Sequence, residues 1–227
     1  MKLSKRLQKI NNMVIQPYDH IWDCCCDHGF LGMSLLVRNA ASTIHFVDIV
    51  EQLMEDLEAQ LVKNHPKNNQ ITDLNNAWQV HCLGAERIPI QSNTSNLVII
   101  SGVGGDLLIE IVEAILAHHS NQELEFLLCP VHHNYKVRQA LRKLNLGLVN
   151  EELIKENKRF YEILHISTHS EQAISDVGSQ MWDLSRQDDQ EYLNQTIAHY
   201  ERMQKSTNRT FFEDTQNIIS DYRCLIA

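Results

Sequence analysis

The sequence predicts an α/β fold: a doubly wound, mostly parallel sheet with an antiparallel terminal strand, followed by an antiparallel helical hairpin. Three observations carry this. Short apolar runs alternate with helical patterns five times over the first two thirds of the chain. The next two apolar runs are joined by the polar Glu156-Asn157-Lys158, which signals a β-hairpin and not another crossover. From about Met181 the strand signal stops, and apolar residues recur at helical spacing.

The elements follow in order. Leu3, Leu7, Ile10 and Val14 mark a basic amphipathic helix. His20–Cys24 is the first strand, and Leu31, Leu35 and Leu36 lie on the helix after it. Thr43–Val47 is the second strand, ending at Asp48. A helix over Glu51–Lys63 follows, with Leu53, Leu57 and Leu61 four apart. Asn64–Asn76 is polar and reads as a loop. Trp78–Cys82 and Asn96–Ser101 are strands, and Leu107–Leu116 is a helix. Phe126–Cys129 is a fifth strand, stopped by Pro130, and Tyr135–Leu144 is helical. Leu148–Ile154 and Phe160–Ile166 form the hairpin. Leu193, Ile197, Tyr200 and Gln204, then Phe211, Thr215, Ile218, Tyr222 and Leu225, step at the roughly 3.5-residue period of a coiled-coil seam. We divide the chain at 170: residues 1–170 hold the sheet and 171–227 the helical hairpin.

Composition bounds the function. The 227 residues are 43% hydrophobic, enough for a core without disulfides or metal. No apolar run reaches the roughly 20 residues of a membrane span, and the basic start lacks a signal peptide's apolar region. A cytoplasmic protein is expected. Of the six cysteines, Cys24, Cys25 and Cys26 are consecutive and useless as a disulfide framework, so a packing role is expected. The net charge of −9 argues against indiscriminate binding to nucleic acid or anionic membranes, but permits a local basic patch. Lys5, Arg6 and Lys9 crowd the first helix, and Lys136, Arg138 and Arg142 the helix after the fifth strand. The pairs His118-His119 and His132-His133 lack the companion ligands of a metal site and read as surface or rim residues.

Six of the eight glycines follow predicted strands: Gly29, Gly32, Gly84, Gly102, Gly104 and Gly105. Glycine belongs where backbone turns sharply or approaches a ligand, so this sheet edge is the candidate small-molecule site. The first turn, Asp23-Cys24-Cys25-Cys26-Asp27-His28-Gly29, carries two carboxylates where a pyrophosphate-binding loop carries glycines. They repel phosphate and suit an amine or a sulfonium. Asp48, about 20 residues on, stands where an acid takes ribose hydroxyls. An adenosine bearing an amino acid, as in S-adenosylmethionine, fits this better than NAD.

Leu3-Ser4-Lys5-Arg6-Leu7, Asp23–Gly29, Ser101-Gly102-Val103-Gly104-Gly105, Asn150-Glu151-Glu152-Leu153 and Lys158-Arg159-Phe160-Tyr161-Glu162-Ile163 occur in that order. The set resembles the bacterial tRNA (adenine(22)-N1)-methyltransferase family, in register over residues 3 to about 168 and more loosely beyond. The resemblance implies a Rossmann-like class I methyltransferase fold, S-adenosylmethionine as cofactor and tRNA as partner, with neither DNA nor membrane. It implies cofactor contacts from Asp23, Cys25, Asp27, His28, Gly29, Asp48, Ile49, Gly84, Ala85, Glu86, Ser101 and Gly102. It places Ser101, Gly102 and Gly104 beside the reacting atoms, with Asp27 as a further electronegative group there. Lys5, Arg6, Lys9, Lys136, Arg138 and Arg142 are the expected RNA contacts.

Three stretches depart from the family's pattern. Cys25 replaces a usual Gly, Gly84-Ala85-Glu86 replaces G-D-G, and Cys129-Pro130-Val131 replaces Q-P-N. Two alternatives stay open: a methyltransferase acting on another RNA, and a binding protein that keeps the fold without catalysis.

Overall fold

A computed structural model describes residues 3–66, 77–206 and 209–226. The elements run α1 (Lys5–Met13), β1 (Tyr18–Cys24), α2 (Phe30–Val37), β2 (Ala41–Asp48), α3 (Glu51–Asn64), β3 (Ala77–Cys82), β4 (Asn96–Ser101), α4 (Gly105–His118), β5 (Leu124–Cys129), α5 (Asn134–Lys143), β6 (Gly147–Glu156), β7 (Arg159–Ser167), α6 (Gln187–Ser206) and α7 (Arg209–Arg223). Each predicted strand and helix is present. Most of the predicted Asn64–Asn76 loop lies outside the described residues.

The seven strands form one sheet in the order β3-β2-β1-β4-β5-β7-β6. β1 pairs in parallel with β2 on one side and β4 on the other, so the chain reverses its winding at β1. One core lies between the sheet and α4 and α5. A second lies between the opposite face and α1, α2 and α3. The antiparallel strand is not outermost: β7 pairs with β5, and β6 takes the edge. Burial explains the order. Glu162–Ser167 of β7 are buried without interruption, whereas β6 is buried only in part. Asn157 and Lys158 both have positive φ (49° and 65°), making the tight two-residue turn that joins these strands.

A histidine ladder crosses the sheet. His45 stacks on Trp22 with ring centroids 3.7 Å apart. Its Nε2 lies 3.0 Å from His20 Nδ1, and its Nδ1 lies 3.0 Å from His81 Nε2. Burial pushes the His45 imidazole down to about 3, and the two neighbouring histidines add to the effect.

The helical hairpin packs on the sheet unit through aromatic rings. Tyr222 of α7 and Leu193 of α6 close over Tyr135 of α5 and Val177. Tyr192 lies against Trp182 and Phe160, and the Tyr135 hydroxyl donates to Asp221 at 2.7 Å. Among the described residues no helix is long and apolar enough to cross a membrane.

Candidate active site

The carboxyl ends of β1 and β4 converge where the winding reverses. The loop leaving β1 is tightly wound: Cys25 (φ 55°), Asp27 (φ 51°) and Gly29 (φ 66°) are all left-handed. That conformation favours glycine, so Cys25 holds a strained position. The loop is fixed by two bonds to β2: Cys26 N–H donates to the Val47 carbonyl at 3.1 Å, and Asp27 N–H to Asp48 Oδ2 at 3.1 Å. Asp48 Oδ1 accepts from Val50 N–H at 3.2 Å, so this carboxylate ties the first two strand ends together.

Asp23 is only 4% exposed and accepts from Gly32 N–H at 2.8 Å. A Cβ at residue 32 would collide with the Phe46 ring and crowd the Asp23 carboxylate, which is why Gly32 is glycine. Burial pushes the Asp23 carboxyl up to about 7, and nearby Asp48 adds to the rise. A buried acid in that state is suited to receive a cation.

A cavity of about 220 Å³ opens beside it, lined by Asp23, Cys25, Asp27, His28, Ser101 and Gly102 with Arg6 at its side. Gly29 and Asp48 brace this wall. Ile49 stands exposed just beyond Asp48, and Ala85 is buried in the 3₁₀ turn Ala85–Arg87. The Glu86 carboxylate folds back over Gly84 and lies 3.3 Å from Arg87 Nε. The cysteines are not thiolates here: burial pushes Cys25 up to about 11 and raises Cys24 and Cys26 too.

Gly102 (φ 87°) begins the turn after β4, and its N–H donates to the Cys129 carbonyl at 3.2 Å. The His132 ring fills the place a Cβ of Gly104 would take. Arg6 lies against this turn, with its guanidinium over the Tyr161 ring at 4.9 Å. It separates the small cavity from a groove of about 940 Å³ between the sheet unit and the helical hairpin. That groove presents Lys158, Arg159 and Arg202, the histidines 132, 133 and 199, and the rings of Phe160, Tyr161 and Tyr200.

A methyltransferase-domain family model matches residues 3–164, the stretch that builds this edge. The chain belongs to the methyltransferase-domain family. Among curated proteins none matches the sequence. Solved structures similar in fold include the M1A22 tRNA methyltransferase TrmK of B. subtilis, at 18% identity and a TM-score of 0.77, covering 100% of this chain and 99% of that one. TrmK of M. capricolum with S-adenosyl-homocysteine has 17% identity and a TM-score of 0.75, covering 100% and 98%. A putative tRNA (m1A22) methyltransferase of Streptococcus pneumoniae, in complex with S-adenosyl-L-methionine, has 19% identity and a TM-score of 0.73, covering 100% of both chains.

In this methyltransferase domain the expected RNA contacts divide. Lys5 is exposed, and Arg6 sits between the two cavities. Lys9 pairs with Glu152 at 3.2 Å, Lys136 with Asp106 at 2.6 Å and Arg142 with Asp176 at 3.0 Å. Arg138 corrects the sequence expectation: it is fully buried and reaches no RNA. Its guanidinium lies 2.7 Å from both Glu151 and Glu162. The Tyr192 hydroxyl donates to Glu162 at 2.6 Å, while Gln180 and Ser179 N–H groups donate to Glu151. Glu151 and Glu162, two residues of the family-like motifs, therefore join strands to hairpin and make no site.

Sequence reasoning missed Arg202 and the turn residues Lys158 and Arg159 as groove cations. Lys158 and Arg159 enter the sequence reading only through the family-like motif and the polar hairpin link, and Arg202 not as a candidate at all. Among the described residues no cluster of three or more histidines, cysteines or acids is placed to hold a metal ion.

Proposed function

We propose that this protein transfers the methyl group of S-adenosylmethionine to N1 of an adenosine in tRNA. The observation that carries the reading is the adjacency of an acidic cavity and a cationic, aromatic groove, parted by Arg6 and Tyr161. On this reading residues 1–170 are catalytic and residues 171–227 help grip RNA.

Asp23 and Asp27 hold the amino-acid end of the cofactor, Asp48 its ribose, and Ile49, Ala85 and Glu86 flank the adenine. Cys25, His28, Gly29, Gly84, Ser101 and Gly102 supply the surrounding wall. When bound, the cofactor supplies an electrophilic methyl on a sulfonium. Adenine N1 has its own lone pair, so the protein's work is mainly to align the base in line with that methyl. The turn from Ser101 through Gly102 to Gly104 offers carbonyls where positive charge develops on the base. A base stacked within RNA must first be extruded, at a cost of a few kcal/mol. Lys158, Arg159 and Arg202 are suited to phosphates, and Tyr161 to a base face. The fold similarity to tRNA methyltransferases from several bacteria supports the same reading.

The test is methyl transfer from labelled S-adenosylmethionine to unmodified host tRNA, with the product nucleoside identified after digestion. N1-methyladenosine is expected. Label on another nucleoside, or in another RNA alone, shifts the acceptor. Cofactor binding without transfer to any RNA favours a non-catalytic role.

A further inference from the structure

His133 is the one histidine among the described residues with left-handed backbone (φ 64°), and it stands at the start of α5. Strain of that kind in a side chain facing a cavity points to use. Its Nδ1 lies 2.9 Å from Asp106 Oδ2 at the start of α4. The other Asp106 oxygen accepts from Lys136 Nζ at 2.6 Å. This bond holds the Asp106 carboxyl below the usual range. In the neutral imidazole the bond to Asp106 is made by Nδ1 as donor. The tautomer is then set, and Nε2 carries a lone pair.

The neighbours give that lone pair an address. His132 meets His133 edge-on with centroids 4.3 Å apart, and its ring seats on Gly104. The two histidines thus continue the turn beside the cofactor cavity into the wall of the large groove. They follow Cys129-Pro130-Val131, where the side-chain amides of the family-like pattern are missing.

We propose that His133, oriented by Asp106, is the residue that recognises the acceptor base, its Nε2 accepting a hydrogen bond from the exocyclic amine of adenine. The inference rests on the function proposed above. As N1 takes the methyl, positive charge spreads onto the amine and its N–H becomes a stronger donor. The bond therefore tightens on the way to the transition state and acts on rate as well as on choice of base. Asp106 is a positioning residue.

The experiment uses the full-length protein and two tRNAs, identical except that one carries purine ribonucleoside, which lacks the amine, at the mapped acceptor position. Single-turnover methylation is measured for the wild type, His133→Gly and Asp106→Asn. Glycine suits the left-handed backbone, so the first variant keeps the turn. For the adenosine tRNA, His133→Gly is expected to lose about tenfold in rate, the worth of one hydrogen bond, with the purine tRNA changing by less than about twofold. Asp106→Asn is expected to lose rate in the same selective way, because an amide no longer enforces the tautomer. Both variants should keep wild-type affinity for S-adenosylmethionine.

Equal losses on both tRNAs, a loss of cofactor affinity, or an unchanged rate on adenosine would each overturn the inference. If the wild type forms N1-methyladenosine and the variants do not discriminate, this inference alone falls. If the wild type forms none, the functional reading falls and takes the inference with it.

Discussion

Asp23 and Arg138 are both buried charges, and they live in opposite surroundings. Asp23 sits at the carboxyl edge of β1 with a bond from Gly32, beside a second acid, on the wall of a cavity. Arg138 lies in the seam between the strands and the helical hairpin, where two carboxylates pair with it and in turn accept from a tyrosine hydroxyl and backbone N–H groups. The first arrangement leaves a charge wanting a partner from outside. In the second the charge finds its counter-charges inside the protein. The same residue types, in motifs that resemble one family together, thus divide into a site and a joint, and an internal counter-charge separates them.

The seam gives the largest test of this contrast. Arg138→Met leaves two buried carboxylates unpaired and should cost about 3–5 kcal/mol of stability by denaturant unfolding. A loss below about 1 kcal/mol would mean that the buried ion pairs do not hold the seam.

The histidine ladder comes next. His45 is held neutral in the fold, so its contribution is fully present above the unfolded value of about 6.5 and is lost as pH falls towards about 3. Unfolding midpoints should fall between roughly pH 6.5 and pH 4, by on the order of 3 kcal/mol in stability, and His45→Gln should flatten that slope. An unchanged slope would take the acid sensitivity away from this ladder.

The groove cations carry a smaller effect. Lys158→Ala combined with Arg159→Ala should reduce the salt dependence of tRNA binding by about one unit of log–log slope per lost phosphate contact. An unchanged slope would move the RNA path off this groove.

The smallest change is at the strained cysteine. Cys25→Gly relieves a left-handed Cβ and should stabilise the protein by about 1 kcal/mol. Destabilisation would show that the thiol contributes packing worth more than the strain.

The sheet was legible because its order follows from local periodicity. Alternating apolar runs named every strand, and the glycines after them named the ligand edge. The position of β7 inside β6 was not legible, since it depends on which strand of the hairpin is the more apolar. Arg138 was misread by its charge, although its spacing held the answer: it lies three residues from both Tyr135 and Leu141, on the buried stripe of α5. Its partners Glu151 and Glu162 come from two later strands, which no local pattern announces. His133 hid in the same way. Adjacent histidines looked divergent and idle, and Asp106, which orients one of them, lies 27 residues upstream.

The central claim is that the acidic edge around Asp23 is open for a cationic cofactor. Calorimetric titration of S-adenosylmethionine into the wild type and Asp23→Asn, on both sides of pH 7, tests it most directly. Because burial pushes the free carboxyl up to about 7 and the ionised form binds the cation, wild-type affinity should rise as pH increases through that value. Asp23→Asn should bind at least about tenfold more weakly at high pH and lose the pH dependence. Wild-type protein that fails to bind, or a variant that binds as tightly with the same pH profile, would contradict the account.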